Sequence, residues 1–250
     1  MSVLGVIPAR LGSTRLPHKP LQPLGGVPLV VRVAERVRGL GGVDELIVAT
    51  DAPEIARVVE QAGIRAVLTS TAHLTGTERV AEVAARDEFA GFDRILNVQG
   101  DEPFVSAEAL AGALARLALG DDVGTAAAPL DAADAADPAR VKVVLDLAGR
   151  ALYFSRAAIP YHRGPGPAPS GLYWQHLGVY AYTRRALAQW VTWPPALLET
   201  TESLEQLRAL AHGLRIGVAR LTSAALPGID TPEDLRRAEA HWLSTHGVPA

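Results

Sequence analysis

The sequence predicts an α/β protein: a mainly parallel mixed sheet with helices on both faces. Short β-branched runs alternate with amphipathic stretches of helical period along most of the chain, the pattern of parallel strands joined by helical crossovers. The chain has 250 residues, 48% of them hydrophobic and 20% charged, enough to bury a substantial core. It contains no cysteine, so the fold rests on packing and not on disulfides or thiolate-held metals.

Taken in order, the predicted strands are VLGVI (3–7), ELIVAT (45–50), a weaker RAVL (65–68), DRILNV (93–98), VGTAAA (123–128) and VKVVLD (141–146). Helices are expected at 27–38, where Leu29, Val30, Val33 and Val37 share one face, and at 53–63, 77–87 and 106–119. From about residue 147 the pattern changes. RALYFSRAAIPYHRG, the Gly/Pro-rich GPGPAPSG (164–171), an aromatic strand HLGVYAYT (176–183) and TWPPALLETTE (192–202) read as an inserted platform with one flexible loop. A helix at 203–213, a strand at 215–221 and a last helix from about 232 to 244 resume the α/β pattern. With no internal repeat and no interdomain linker, residues 1–250 read as a single domain with an excursion at about 147–200.

Several function classes are disfavoured. A formal charge of −3, from 24 basic and 27 acidic residues, gives no broad cationic field of the kind nucleic acid selects, so no nucleic-acid partner is expected. The N-terminal apolar run lacks a charged flank and stops at Pro8, and the richest later stretch (109–120) is broken by Arg116. Neither a signal peptide nor membrane insertion is expected, and the absence of cysteine fits a reducing cytoplasm. The chain carries no G-x-x-x-x-G-K-[ST], and no G-x-G-x-x-G follows the first strand, which disfavours P-loop NTPases and nicotinamide or flavin enzymes.

Ligands of parallel sheets bind beyond the carboxyl ends of the strands. There the first strand opens into PARLGSTRLPHKPL, which gathers Arg10, Arg15 and Lys19 with Gly12, Ser13 and Thr14. Glycine lets backbone N–H groups approach phosphate oxygens, hydroxyls donate, and three cations answer the charge of a triphosphate. The alternative is an ordinary solvated basic loop. Of the 24 basic residues 22 are arginine and only Lys19 and Lys142 are lysine, and a kept lysine suits a compact point charge. After the strand RILNV, Asp101 and Glu102 in NVQGDEPF offer the hard oxygen ligands that Mg²⁺ shares with phosphate, or else a turn before the helix at 106. Asp230, in PGIDTPEDL, stands beside a Thr231–Asp234 capping box and reads equally as support for that cap. Asp51, in ATDAPE, reads as a helix start or a functional acid. Arg156 and His176 lie in the excursion. Glu205 falls off the Leu204, Leu207, Leu210 stripe, where a surface pair with Arg208 is the default.

Together these blocks resemble the 3-deoxy-manno-octulosonate cytidylyltransferases, the CMP-Kdo synthetases. The likeness runs nearly end to end through VIPARLGSTRLPHKPL (6–21), ATDAPEI (49–55), HLTGTERVAEV (73–83), NVQGDEPF (97–104), VKVVLD with ALYFSRAAIP (141–160), HLGVYAY (176–182), LEQLRAL (204–210) and GIDTPEDL (228–235). The resemblance implies a Rossmann-like nucleotidyltransferase fold of the glycosyltransferase-A kind, dependence on Mg²⁺, a homodimer, and transfer of CMP from CTP to Kdo with release of pyrophosphate, for lipopolysaccharide-type sugar synthesis. It assigns the catalytic and triphosphate roles to Arg10, Arg15, Lys19 and Asp101, with Gly12 and Ser13 in the same nucleotide-binding loop and Gly76 and Arg79 toward the cytidine. Asp101 and Asp230 become the metal ligands, and Gln99, Arg156, His176, Tyr180, Glu205 and Gln206 the sugar-acid contacts, with the excursion as sugar-acid and dimer platform. His18 stands where the family more often has glycine, and Thr75 where it more often has serine. Alternatives are a cytidylyltransferase for a related sugar acid, amino-Kdo or sialic-acid-like, and a non-catalytic nucleotide-binding module.

Overall fold

A computed structural model of the chain describes residues 1–246. The chain forms two compact units, residues 1–106 together with the C-terminal segment from Leu226, and residues 107–225.

In the first unit the strands are β1 (Val3–Ala9), the short hairpin β2 (Pro23–Leu24) and β3 (Val27–Pro28), β4 (Glu45–Thr50), β5 (Arg65–Leu68) and β6 (Arg94–Val98), and the helices α1 (Leu29–Leu40), α2 (Pro53–Gln61) and α3 (Gly76–Ala84). Four strands pair in the order β6-β1-β4-β5, all parallel, with Val6 opposite Asn97 and Ile7 opposite Val48. All seven residues of β1 are buried. Successive side chains point to opposite faces, so both faces of this strand are covered. On α1, Leu29, Val30, Val33 and Val37 are buried as their spacing predicts, joined by Val31 and Ala34. Because β1 and β6 are parallel neighbours, their carboxyl ends lie side by side, and the loops that follow them meet.

In the second unit the elements are α4 (Ala107–Ala118), β7 (Val123–Leu130), β8 (Lys142–Leu145), β9 (Ala151–Ser155), β10 (Tyr173–Thr183), α5 (Arg184–Trp190), α6 (Leu197–Glu202), α7 (Gln206–Ala211) and β11 (Ile216–Arg220). Strand β7 pairs parallel to β11 and antiparallel to β10. The antiparallel β8–β9 hairpin joins β10 where Lys142 faces Gln175. Helix α4 packs on β7, β10 and β11. The first unit is completed by α8 (Pro232–His246).

The elements expected from periodicity are present, and the differences lie in the excursion, at helix ends and in the unexpected β2–β3 hairpin, which takes Val27 and Pro28 from the start of the helix expected at 27–38. ALYFS forms the strand β9, and α5 and α6 are additional helices. The helix expected at 203–213 is shorter, because Ser203 adopts the left-handed region at φ 52° and separates α6 from α7. Arg208, expected on the surface beside Glu205, is turned inward instead. Arg208 is buried and gives its Nε and Nη2 to Glu199 at 2.8 and 2.6 Å, joining α6 to α7. Helix α3 starts at Gly76 on a capping box, with the Thr75 hydroxyl accepting from Glu78 N and the Glu78 carboxylate answering Thr75 N.

Candidate active site

The loop after β1 is pinned from below by buried Leu16 and Pro20. The Ser13 hydroxyl accepts from Leu16 N, and the chain closes into a 3-10 turn at Lys19–Leu21. His18, just before that turn, has φ 52° and ψ 33°, the left-handed region that glycine enters without cost. The turn closes with histidine in that position, Leu21 N donating to the His18 carbonyl at 2.8 Å.

On the neighbouring strand end, Gly100 lets β6's loop pass close to β1, since a Cβ there would stand 2.9 Å from the Pro8 carbonyl oxygen. The next residue, Asp101, is thereby brought against the loop after β1. Its backbone carbonyl accepts from Ile229 N at 2.9 Å, and this bond carries Asp230 into the same place. Lys19 Nζ then donates to Asp101 Oδ2 at 2.6 Å and Asp230 Oδ1 at 2.9 Å, and Arg15 Nη2 lies 3.1 Å from Asp230 Oδ2. Burial pulls the Lys19 ammonium down, but the Asp101 and Asp230 carboxylates outweigh it, so its pKa lies above the ordinary 10.5 and the group is charged at neutral pH.

The two readings of Asp230 separate here. The helix cap is made by Thr231 and Asp234, which exchange Asp234 N to Thr231 Oγ1 at 3.1 Å and Thr231 N to Asp234 Oδ2 at 2.9 Å. The Asp230 side chain takes no part in it and faces the cations. Asp51 is not a cap either. Residue Ala52 occupies the N-cap of α2 with no side-chain bond, while Asp51 Oδ2 accepts from Arg79 Nη2 at 2.9 Å. Arg79 is buried, and its Nη1 reaches the Thr69 hydroxyl. Arg10 Nη1 donates to the Leu74 carbonyl at 2.9 Å.

Arg10, Gly12, Ser13, Arg15, Lys19, Gly76, Arg79, Gln99, Asp101 and Asp230 line one cleft of about 280 Å³. Gln99 lines this cleft beside Gly100 and Asp101. Among the described residues, no three His, Cys, Asp or Glu side chains stand together as a metal cage. The donors that converge are two carboxylates meeting on one ammonium. That donor set fits Mg²⁺, which takes one or two carboxylates and fills its remaining positions with phosphate oxygens and water.

The remaining predicted residues lie in the second unit. The ring of His176 sits between Phe154 and Tyr180, with centroids 5.0 and 5.3 Å away, and removal from water pulls its pKa down to about 3. The Thr125 hydroxyl gives its proton to the Val179 carbonyl at 2.7 Å, so its 3.1 Å contact with His176 Nε2 must be accepted from the ring. His176 is therefore neutral and protonated on Nε2. Burial, then Tyr182 and Glu205, raise the Tyr180 phenol well above its ordinary 10. The Arg156 side chain donates to the carbonyls of Glu202, Pro138 and Ser203 at 2.8, 2.9 and 3.3 Å, and its N–H to the Glu202 carboxylate at 2.9 Å. Glu205 and Gln206 follow directly at the start of α7, Gln206 buried. Lys142, the other lysine, is buried and donates to the carbonyls of Asp137 and Arg156. Glu202, which no local pattern in the sequence marks out, fixes Arg156 and also accepts from the Ser155 hydroxyl at 2.6 Å.

Residues 4–216 match the cytidylyltransferase family. A 3-deoxy-manno-octulosonate cytidylyltransferase of Gemmatimonas aurantiaca is 56% identical over 99% of this chain and 97% of its own. Among solved structures, a CMP:2-keto-3-deoxy-manno-octonic acid synthetase complexed with CTP is 37% identical, covers 98% of this chain and 100% of its own, and superposes with a TM-score of 0.88. A putative glucose-1-phosphate thymidylyltransferase of Bacillus anthracis shares the fold, with a TM-score of 0.66 at 16% identity over 96% of this chain and 95% of its own. A nucleotidyltransferase fold, a cleft that brings Lys19 to two acids and 56% identity to a relative along nearly the whole of both chains agree: this chain belongs to the 3-deoxy-manno-octulosonate cytidylyltransferase family.

Proposed function

We propose that this protein transfers CMP from CTP to the anomeric hydroxyl of 3-deoxy-D-manno-octulosonate, releasing pyrophosphate. The observation that carries the proposal is the junction of Lys19 and Arg15 with Asp101 and Asp230 in one cleft at the carboxyl ends of β1 and β6. Phosphoryl-type transfer asks the protein mainly for positioning and for charge answering charge, and this cleft supplies both. The triphosphate lies along the loop after β1, with Ser13 and the loop amides donating to it and Arg10, Arg15 and Lys19 neutralising it. The sugar's anomeric oxygen forms a bond to the α-phosphorus while the bond to the bridging oxygen of pyrophosphate breaks. Lys19 and Arg15 meet the charge that develops on the leaving group, and the hydroxyl proton passes to solvent. Asp101 and Asp230 would hold a Mg²⁺ ion, which when bound supplies Lewis acidity toward a phosphate oxygen and the attacking hydroxyl.

The same reading assigns sugar-acid contacts to Arg156, His176, Tyr180, Glu205 and Gln206 of the second unit. A neutral His176 with its proton on Nε2 offers a lone pair at Nδ1 to a hydroxyl. It also takes the working form to be a homodimer in the cytoplasm, serving lipopolysaccharide-type sugar synthesis; no helix among the described residues is long and apolar enough to cross a membrane. Pyrophosphate release from CTP, followed with a panel of eight- and nine-carbon sugar acids and with or without a chelator, tests the proposal. Release with Kdo and divalent metal is expected. Preference for an amino-Kdo or a sialic acid would move the assignment to a sister substrate, and no release with any acid would leave a nucleotide-binding module.

A further inference from the structure

Helix α8 begins immediately after Asp230, and its far end is fastened to the two other segments that build the cleft. Glu239 Oε2 accepts from Gly25 N at 2.8 Å, so the helix holds the turn of the β2–β3 hairpin. One helical turn on, the ring of Trp242 lies under the Arg32 guanidinium, whose carbon is 4.3 Å from the ring centroid. Arg32 donates in turn to the Leu24 and Gly25 carbonyls at 3.0 and 2.8 Å. Gly25 has φ +56°, and a Cβ there would stand 2.2 Å from Trp242 Nε1, so the hairpin is seated on the indole edge. This hairpin follows the Lys19 turn without a break, for Gln22 N donates to Lys19 O and Gln22 O accepts from Leu29 N. On the other side, Phe104, three residues past Asp101, packs against the same helix, 5.0 Å from His241 and 6.4 Å from Trp242 between ring centroids.

One indole therefore touches the segment that carries Lys19, the segment that carries Asp101 and the helix that carries Asp230. We infer that Trp242 is a positioning residue which sets the spacing of Lys19, Asp101 and Asp230 from the far end of α8. The helix is the lever. Trp242 is eleven residues into it, roughly 15 Å along its axis from the start, so a small tilt at the indole displaces the Asp230 end. Catalytic geometry is sensitive to displacements of about 1 Å, which can cost on the order of a hundredfold in rate. The inference rests on the metal-ligand reading of Asp101 and Asp230 given above.

The test compares Trp242→Ala, Trp242→Phe and Gly25→Ala with the wild type, using two readouts. One is kcat and KM for each substrate. The other is the affinity for Mn²⁺ in the presence of CTP, followed by electron paramagnetic resonance, which needs no turnover. Trp242→Ala is expected to lower kcat at least about tenfold and to weaken Mn²⁺ at least about fivefold, with KM for the sugar acid unchanged. Trp242→Phe should restore most of both, since a ring still fills the seat. Gly25→Ala, which pushes a methyl into the indole, should repeat the alanine signature even if Trp242→Ala proves too unstable to purify. Folded variants with wild-type kcat and wild-type Mn²⁺ affinity would overturn the inference, whatever their melting temperatures, while leaving the functional reading standing. A wild type that neither turns over CTP nor binds Mn²⁺ would overturn both.

Discussion

Lys19 Nζ donates to Asp101 Oδ2 at 2.6 Å across 82 positions of chain. The contact exists because β1 and β6 are parallel neighbours, so a cation placed after one strand meets an acid placed after the other. With Asp230 completing the group, a charged ammonium occupies the point where two carboxylates converge, which is where a bound triphosphate would need positive charge.

Replacing Lys19 with alanine is expected to lower kcat by at least about 10²-fold, since a positioned cation on developing phosphate charge contributes about 3 kcal/mol or more. Pyrophosphate release at saturating CTP measures it. A loss below tenfold would return the loop to a solvated basic surface.

The cap and the metal-ligand roles near the start of α8 belong to different carboxylates, and paired variants separate them. Asp230→Asn should leave the melting temperature nearly unchanged and remove most activity, to less than about a tenth of wild type at saturating Mg²⁺. Asp234→Ala should show the reverse order of effects, with stability falling by about 1 kcal/mol through loss of the cap. Equal thermal losses in the two variants would contradict the division of labour.

His18 occupies a backbone region that costs a side-chain-bearing residue roughly 1–2 kcal/mol. His18→Gly gains back that strain but gives up some order in the unfolded chain, so a net gain of about 0.5–1 kcal/mol is expected in urea unfolding. Destabilisation would mean the histidine side chain holds the turn in a way its backbone angles do not reveal.

His176 titrates near 3 when folded and near 6.5 when unfolded. Its folded pKa is depressed, so the unfolded chain binds the proton first. The stability this histidine permits is complete above about pH 6.5 and is lost progressively as pH falls from there toward 3, by up to about 1.4 kcal/mol per pH unit. Unfolding midpoints of wild type and His176→Gln at pH 7.5 and 5.5 should therefore differ in their spread, with the variant losing about 1 kcal/mol less between the two. An identical pH dependence would show that the ring reaches water.

The sequence by itself determined most of the strands, the helices of the first unit and the chemical character of the loop after β1. These depend on spacing within one element or on residues a few positions apart: the short apolar run of VLGVI, the Leu29–Val37 stripe, the cations and hydroxyls of PARLGSTRLPHK. Local spacing could not choose between readings that use the same residue type. Asp230 and Asp234 both stand at a helix start, and only the fold turns one toward Thr231 and the other toward Lys19, 211 positions away. Asp51 looked like a cap until Arg79 reached it, and Arg208 like a surface partner of Glu205 until Glu199 took it inside. Each of those choices was made by strand adjacency and by which buried charge lacked a closer answer, and both are properties of packing that no stretch of sequence carries alone.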